Sequence, residues 1–268
     1  MDLQLDGKTA LVTGSTAGIG LEIAKHLAAE GVRGTIVGRA REKLDEAAAT
    51  VAAQAPAGAA QSGVHAILAD LATAAGAATV TAALPDVDIL VNNLGIYEAK
   101  AFADISDDDW RRFFEVNVLS GARLARHYFP GMLKRDWGRV IFVASESALM
   151  IPPDMVHYGM TKTAQLAIAR GLAGLTRGTR VTVNSVLPGP TRSEGIVDFL
   201  KSVAPDPAAP AAEMEAQFFA RDRPTSLIQR MIEPGEIASL VAYVASPLAA
   251  ATNGAALRVD GGLIPTVA

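Results

Sequence analysis

The chain has 268 residues; apolar residues make up 50% and charged residues 19% of them. This composition argues against an intrinsically disordered chain and predicts a substantial core, and the length fits one or two domains, including one large α/β domain. The formal net charge is −4, and no long basic run is present, which argues against nucleic acid as a partner. Because Cys is absent and the four His residues lack ligand-like spacing, we expect no disulfide and no metal site.

The amino-terminal residues 1–8 lack the positive and apolar regions of a signal peptide. Two uncharged stretches, residues 47–69 and 237–257, are interrupted by Pro, Gly and polar residues, so neither is expected to cross a membrane. These features favour a cytoplasmic protein without a membrane partner.

Short β-branched runs alternate with longer helical patterns along the chain. The alternation predicts a doubly wound parallel sheet of seven strands with helices on both faces, in a single domain over residues 1–268. Clear helical periodicity covers Gly20–Glu30, Asp107–Lys134 and Met155–Gly174. The predicted strands are Thr9–Thr13, Thr35–Gly38, Val64–Ala69, Ile89–Asn92, Val140–Ala144, Val181–Val186 and Ala256–Val259.

Two segments depart from this alternation. Residues 54–63 are rich in Ala and Gly and are expected to form a turn between the second helix and the third strand. Residues 190–235 follow the sixth strand and contain Pro205, Pro207 and Pro210. This segment is too long for a simple connection, so we expect it to be a substrate lid.

A glycine-rich turn follows the first predicted strand and leads into a helix. Its sequence is Gly14-Ser15-Thr16-Ala17-Gly18-Ile19-Gly20. A turn of this kind presents backbone N–H groups and the positive end of a helix dipole to a pyrophosphate. The Gly-x3-Gly-x-Gly spacing differs from the general dinucleotide fingerprint, and a tight turn without a ligand is the alternative.

The end of the second strand bears on which dinucleotide binds. An acidic residue there would hold the 2′-hydroxyl of an adenosine ribose, but Gly38 and Arg39 occupy this place. Gly38 leaves room, and the Arg39 guanidinium can pair with a 2′-phosphate, which favours NADP(H) over NAD(H). Alternatively, Arg39 is only a solvated charge at the start of a helix.

Tyr158 and Lys162 lie four residues apart near the start of a predicted helix and therefore share one face. An ammonium group beside a phenol favours the phenolate, so we expect Lys162 to lower the pKa of Tyr158 toward neutrality. Ser145 ends the fifth strand thirteen positions before Tyr158, at the sheet edge where open α/β sheets bind ligands. Taken alone, the Tyr-x3-Lys pair would be explained better by an amphipathic helix with a packed Tyr and a solvated Lys.

Together these motifs resemble the short-chain dehydrogenase/reductase family over nearly the whole chain, which implies a Rossmann-like fold. Leu94 departs from the usual Ala of one motif. The matching motifs are Thr13-Gly14-x3-Gly18-Ile19-Gly20, Asp70, Asn92-Asn93-Leu94-Gly95, Asn117, Ser145, Tyr158-x3-Lys162, Pro188-Gly189-Pro190-Thr191 and Asp260-Gly261-Gly262.

The resemblance assigns cofactor contacts at three further places. Asp70, followed by Leu71, matches the acid that binds the adenine amino group, with a helix N-cap as the alternative. Asn92 and Gly95 would line the adenosine side. The nicotinamide side would be formed by Pro188, Gly189 and Thr191.

The resemblance also implies an enzyme that interconverts a carbonyl compound and a secondary alcohol by hydride transfer to or from NAD(P)(H). Tyr158 would be the general acid and base, and Ser145 would donate a hydrogen bond to the reacting oxygen. Lys162 would also bind the nicotinamide ribose, and Asn117 with a water molecule would complete a proton path.

The expected substrate pocket is of mixed polarity. Glu146 directly follows Ser145, so it either meets a polar or cationic substrate or points away and caps local backbone. The candidate pocket residues are Ile96, Tyr97, Glu146, Ser147 and Met155, together with the 190–235 segment.

Two other functions are compatible with the sequence: a related NAD(H)-dependent dehydrogenase, epimerase or dehydratase, and a dinucleotide-binding redox sensor without catalysis. The resemblance further implies a homotetramer, or a homodimer, in which the helices over Asp107–Lys134 and Met155–Gly174 pack across subunits.

Overall fold

The structure, a computed structural model, describes residues 2–56 and 64–267. It contains a seven-stranded parallel sheet in the order β3-β2-β1-β4-β5-β6-β7, which confirms the predicted doubly wound fold. The strand order reverses between β1 and β4, so a crevice forms where their carboxyl ends diverge. The strands are β1 Thr9–Val12, β2 Arg33–Gly38, β3 His65–Leu68, β4 Ile89–Asn92, β5 Gly138–Val143, β6 Val181–Pro188 and β7 Ala256–Val259.

Helices cover both faces of the sheet. One apolar core lies between the sheet and helices α1, α2 and α9, and a second lies between the sheet and helices α3, α5 and α6. Small residues such as Ala24, Ala238 and Ala242 let α1 and α9 pack closely. The helices are α1 Gly18–Ala29, α2 Arg41–Ala52, α3 Ala74–Ala83, α4 Asp107–Phe114, α5 Ser120–Lys134, α6 Val156–Gly174, α7 Ile196–Val203, α8 Ala211–Asp222 and α9 Pro234–Ala245.

The segment predicted as one helix over Asp107–Lys134 is interrupted. A π-helical turn, Glu115–Leu119, separates α4 from α5, and the Ser120 N–H donates to the Glu115 carbonyl across it. Such turns insert one residue into a helix and are frequent at functional sites. Here the turn carries Asn117, whose side chain is buried. Periodicity alone could not show it, because the apolar pattern continues on both sides.

The 190–235 segment forms a small unit with helices α7 and α8. These helices enclose a separate apolar cluster that includes Leu200, Met214 and Phe219. The unit is closed at its base by a parallel bridge between Thr191 and Ile232. The chain therefore leaves the sheet and returns to it at one point.

Two further expectations concern other parts of the chain. Residues 57–63 of the predicted Ala/Gly-rich turn lie outside the described residues. Within 2–56 and 64–267, no helix is both long and apolar enough to span a membrane. The same ranges hold no cluster of His, Asp and Glu side chains that could bind a metal ion.

Candidate active site

The turn after β1 leaves little space for side chains. Gly14 and Gly18 have φ angles of +60° and +53°, which favour glycine. A Cβ atom on Gly20 would lie 2.2 Å from the Gly14 carbonyl oxygen, so the start of α1 approaches the turn as closely as backbone allows. Among the described residues, no side chain caps the amino-terminal end of α1. The first backbone N–H groups of α1 and the positive end of its dipole therefore fit an anionic group such as a pyrophosphate.

Asn93 fixes the shape of this turn, although the sequence analysis did not select it as a site residue. Its side-chain amide donates to the carbonyl oxygens of Thr13, at 3.0 Å, and Gly14, at 3.1 Å. The Thr13 hydroxyl oxygen accepts the N–H groups of Asn93 and Leu94, both at 2.9 Å. The neighbouring Asn92 side chain is buried, and its polar atoms have no partner in the described part of the chain.

The turn residues Ser15 and Thr16 face the protein rather than open space. The Ser15 hydroxyl donates to the Val12 carbonyl at 2.7 Å and accepts the Val37 N–H at 3.1 Å, so it joins β1 to β2. A Cβ atom on Gly38 would lie 2.6 Å from Thr16 Cγ2. Gly38 is therefore required by packing, whatever its effect on the cofactor.

Arg39 and Asp70 lie at the carboxyl ends of neighbouring strands. Arg39 is exposed and has no ion pair with any described residue. Asp70 accepts the Ala72 N–H at 3.0 Å, and Thr73 rather than Asp70 caps helix α3. The alternative of Asp70 as the N-cap is therefore wrong.

A cavity of about 250 Å³ connects the turn with the carboxyl ends of β5 and β6. The predicted catalytic residues Ser145, Tyr158 and Lys162 line it together, as do the five predicted substrate residues, Ile96, Tyr97, Glu146, Ser147 and Met155. Predicted cofactor residues in its wall are Ile19, Gly20, Gly95, Pro188, Gly189 and Thr191. Other predicted site residues in the described ranges lie outside this wall: Gly14, Ser15, Thr16, Gly18, Arg39, Asp70, Leu71, Asn92 and Asn117.

The Ser145 hydroxyl does not point freely into the cavity. It donates a short hydrogen bond to Glu146 Oε2 and accepts the Ser147 N–H at 3.1 Å. The other Glu146 oxygen accepts the Ser147 hydroxyl at 3.1 Å. Glu146 is 5% exposed and belongs to the cavity wall, so it does not point away to cap backbone.

Tyr158 keeps its proton more firmly than an ordinary tyrosine. Burial and, second, the negative charge of Glu146 raise its pKa, while the Ser145 hydroxyl opposes this effect. The Lys162 ammonium lies 5.7 Å from the centre of the Tyr158 ring. The prediction that Lys162 lowers the pKa of Tyr158 is therefore wrong. Desolvation of the phenolate is the largest effect on this pKa, and it raises it.

Lys162 is buried at the end of β5. Its Nζ donates to the Val143 carbonyl at 3.0 Å and to Gln165 Oε1 at 3.4 Å. Burial lowers the pKa of Lys162 from 10.5 to about 8, and Glu146 opposes this shift. A Cβ atom on Gly95 would lie 3.3 Å from Nζ, so glycine at this position makes room for the lysine.

Gln165 links Lys162 to the π-helical turn. Its Nε2 donates to the Asn117 carbonyl at 2.6 Å. The Asn117 side chain binds the N–H and carbonyl of Ile96, at 2.8 and 3.0 Å. The Gln165 side-chain amide therefore links the Asn117 backbone carbonyl directly to the Lys162 ammonium. Gln165 lies three residues after Lys162 on the same helix face, a spacing that could have identified it.

The opposite wall of the cavity comes from the 190–235 segment. Tyr97 contacts both Tyr158 and Phe199 edge-to-face, with ring centres 6.4 and 5.8 Å apart. Arg223 follows α8, and its guanidinium carbon Cζ lies 5.3 Å from the centre of the Phe218 ring. Its Nε lies 3.7 Å from Glu146 Oε1. No local sequence pattern marks Arg223 as a site residue, because its partners are distant in the chain.

The buried ammonium group predicts a stability effect. We expect Lys162→Met to stabilise the fold by roughly 1 to 3 kcal/mol at pH 7, because each unit of pKa depression corresponds to about 1.4 kcal/mol. From about pH 8 up to 10.5, Lys162 is neutral in the folded protein but still protonated in the unfolded chain. The free energy of unfolding of the wild-type protein therefore rises with pH over this range, and the stability difference between Lys162→Met and the wild type shrinks. Urea unfolding at several pH values measures it.

Lys134→Met, at an exposed position on α5, is the matched control and should change stability by less than about 0.5 kcal/mol without a pH trend. A constant Lys162→Met effect from pH 7 to pH 10.5 would contradict the lowered pKa.

Comparison with known proteins agrees with this geometry. The short chain dehydrogenase family model matches residues 8–201. The uncharacterized oxidoreductase YvaG of Bacillus subtilis is 50% identical over 100% of both chains, and D-beta-hydroxybutyrate dehydrogenase of Cupriavidus necator is 32% identical over 97% of this chain and 99% of that protein. L-sorbose reductase of Gluconobacter frateurii, solved with NADPH and L-sorbose, has a TM-score of 0.89 and 29% identity over 100% of both chains. The chain therefore belongs to the short chain dehydrogenase family and is an oxidoreductase of alcohol and carbonyl groups that uses a nicotinamide dinucleotide.

Proposed function

We propose that this protein interconverts a small carbonyl compound and a secondary alcohol by hydride transfer, with Tyr158 as the general acid and base. The observation that carries the proposal is the convergence of Ser145, Tyr158 and Lys162 on one cavity that also reaches the glycine turn. This cavity lies between the glycine turn and the 190–235 segment, so it can bring a substrate and a dinucleotide together.

The cofactor site is supported by the close approach of Gly20 to Gly14 and by the uncapped start of α1. The turn would hold the pyrophosphate, Lys162 the nicotinamide ribose, and residues 188–191 the nicotinamide side. A dinucleotide bound there supplies or accepts the hydride. In the cavity wall, Gly189 has no room for a side chain, since a Cβ atom would lie 2.9 Å from Asp260 Cα.

The proton chemistry follows from the state of Tyr158. A phenol with a raised pKa retains its proton at neutral pH and can donate it to the alkoxide that develops during carbonyl reduction. The Lys162 ammonium stabilises the resulting phenolate. Ser145 can bind the same oxygen once its hydroxyl turns from Glu146. Alcohol oxidation uses the same groups in reverse, and the 190–235 segment would close over the substrate.

Removal of the phenol hydroxyl tests this mechanism. We expect Tyr158→Phe to lower kcat by about 10² to 10⁴-fold, the usual contribution of a positioned general acid. Tyr243→Phe, an exposed position on α9, is the matched control and should retain wild-type turnover. Steady-state assays on a panel of ketones and alcohols provide the measurement. Unchanged kcat in Tyr158→Phe on every active substrate would refute the assigned acid.

Exposed Arg39 supports a preference for NADP(H), because its guanidinium has no described partner and follows Gly38. We expect NADPH to bind more tightly than NADH. Arg39→Asp should weaken NADPH binding by about tenfold or more, since a hydrogen bond to a charged group contributes about 1.5–3 kcal/mol.

Titrations followed by nicotinamide fluorescence measure both affinities. Arg41→Asp is the control, because Arg41 already lies 3.7 Å from Asp45. A preference for NADH that Arg39→Asp leaves unchanged would favour the NAD(H)-dependent alternative. Failure to bind either dinucleotide would remove the assignment of the cofactor site.

The homotetramer is also part of the proposal. Gly171 and Gly174 on α6 have nothing within 4 Å of where a Cβ atom would lie, and Leu175 beside them is 64% exposed. A smooth helix face of this kind suits close packing against a second copy. Light scattering should give about four times the monomer mass of 27.8 kDa. A mass of one chain would refute it.

A further inference from the structure

A positive and a negative side chain face each other inside the cavity without a hydrogen bond between them. Arg223 Nε lies 3.7 Å from Glu146 Oε1, which is too long for a hydrogen bond. The two side chains are only 12% and 6% exposed. The Nε–H group is buried and has no hydrogen-bond partner among the described residues. Of the three Arg223 guanidinium nitrogens, only Nη1 donates a hydrogen bond within those residues, to the Asp222 carbonyl at 2.8 Å.

Both groups retain capacity for a ligand. Each Glu146 oxygen accepts one hydroxyl, from Ser145 or from Ser147, and a carboxylate oxygen has two lone pairs. The Arg223 guanidinium has five N–H donors in a fixed plane. Unsatisfied polar groups in a buried site are costly, so a ligand that satisfies both is favoured over one that satisfies neither.

The charges decide which chemical group fits. The charged side chains in the cavity wall are Glu146, Lys162 and Arg223. A substrate carboxylate could accept from Arg223 but would lie against Glu146, and a substrate ammonium could donate to Glu146 but would lie against Arg223. An alkyl group would leave the buried Arg223 Nε–H without a hydrogen-bond acceptor and would make no use of the remaining lone pairs of Glu146. A hydroxyl donates and accepts at once, so it can donate to Glu146 while it accepts from Arg223.

The position of Glu146 and Arg223 in the cavity determines which carbon atom of the substrate carries the hydroxyl group. Glu146 accepts from Ser145, the group that would hold the reacting oxygen. A substituent one or two carbon atoms from the reacting carbon therefore lies within reach of the carboxylate. When such a hydroxyl donates to Glu146, it replaces the Ser145 proton, which can then turn to the reacting carbonyl oxygen.

We propose that Glu146 and Arg223 form a subsite for a substrate hydroxyl group, so that the substrates are hydroxyketones and the corresponding diols or polyols. This inference rests on the proposed function, because Ser145 and Tyr158 define the reacting oxygen. Met155, Phe199 and Phe218 form apolar parts of the cavity wall. These apolar side chains confine the hydroxyl subsite to the side of the cavity where Glu146 lies.

Three four-carbon ketones test the subsite, since they differ only at the carbon next to the carbonyl. These are 1-hydroxy-2-butanone, 2-butanone and 2-oxobutyrate, assayed with NADPH and NADH. We expect kcat/KM for the hydroxyketone to exceed that for 2-butanone by about 10²-fold or more, because a site that binds a substrate hydroxyl strongly rejects an analogue without it. Equal values for these two, or preference for 2-oxobutyrate, would overturn the inference.

Variants assign the selectivity to the pair. Glu146→Gln and Arg223→Met should each reduce the ratio of hydroxyketone to 2-butanone by about tenfold or more. The ratio is the readout, because a general loss of activity in a variant lowers kcat/KM for both substrates and cancels in the ratio. Arg221→Met, an exposed position on α8 outside the cavity wall, is the control and should leave the ratio unchanged. A ratio unaffected by both pocket variants would refute the subsite.

Binding separates this inference from the proposed function. Calorimetry on Tyr158→Phe should show tighter binding of the hydroxyketone than of 2-butanone, without turnover. If that preference holds while the wild-type protein reduces none of the three ketones, the hydroxyl subsite stands and the proposed function fails. If the wild-type protein reduces ketones without preference, the inference alone fails. If there is neither turnover nor selective binding, both are wrong.

Discussion

The buried ammonium group of Lys162 is the contact on which the rest of the site depends. It joins α6 to the Val143 carbonyl at the end of β5 and, through Gln165, to the π-helical turn that carries Asn117. Three elements are thus held at one point of the sheet edge. The arrangement is unfavourable for folding by itself, because burial lowers the Lys162 pKa to about 8 and the charged form is desolvated. A fold that keeps such a group trades stability for a positive charge beside the phenol.

Glu146 also acts on the residues around Lys162. It accepts a hydrogen bond from the Ser145 hydroxyl, it helps to raise the pKa of Tyr158, and it opposes the lowering of the Lys162 pKa. Glu146, directly after Ser145, therefore links the residues proposed for hydride transfer to the part of the cavity that Arg223 reaches. Under the two proposals, catalysis and selectivity would share one hydrogen-bond network, because Glu146 would lie beside the reacting oxygen and would also bind the substrate hydroxyl.

The relatives indicate that the pocket, rather than the shared fold, decides which substrate is used. D-beta-hydroxybutyrate dehydrogenase and L-sorbose reductase both align along nearly the whole chain, yet their names describe a hydroxy acid and a sugar. The wall contributed by the 190–235 segment, with Phe199, Phe218 and Arg223, is where this chain can differ. Because that unit has its own apolar cluster and leaves the sheet at one closed base, its sequence can vary without disturbing the sheet.

Local patterns in the sequence determined the order of strands and helices, the glycine turn and the Tyr158–Lys162 pair. Strand and helix periodicity and the spacing of Gly14, Gly18 and Gly20 depend on backbone geometry within a few residues. Only the tertiary structure decided the direction of the Tyr158 pKa, the π-helical turn at Asn117 and the approach of Arg223 to Glu146. Each of these depends on desolvation or on a partner from another element, which are properties of the packed chain and not of a local pattern.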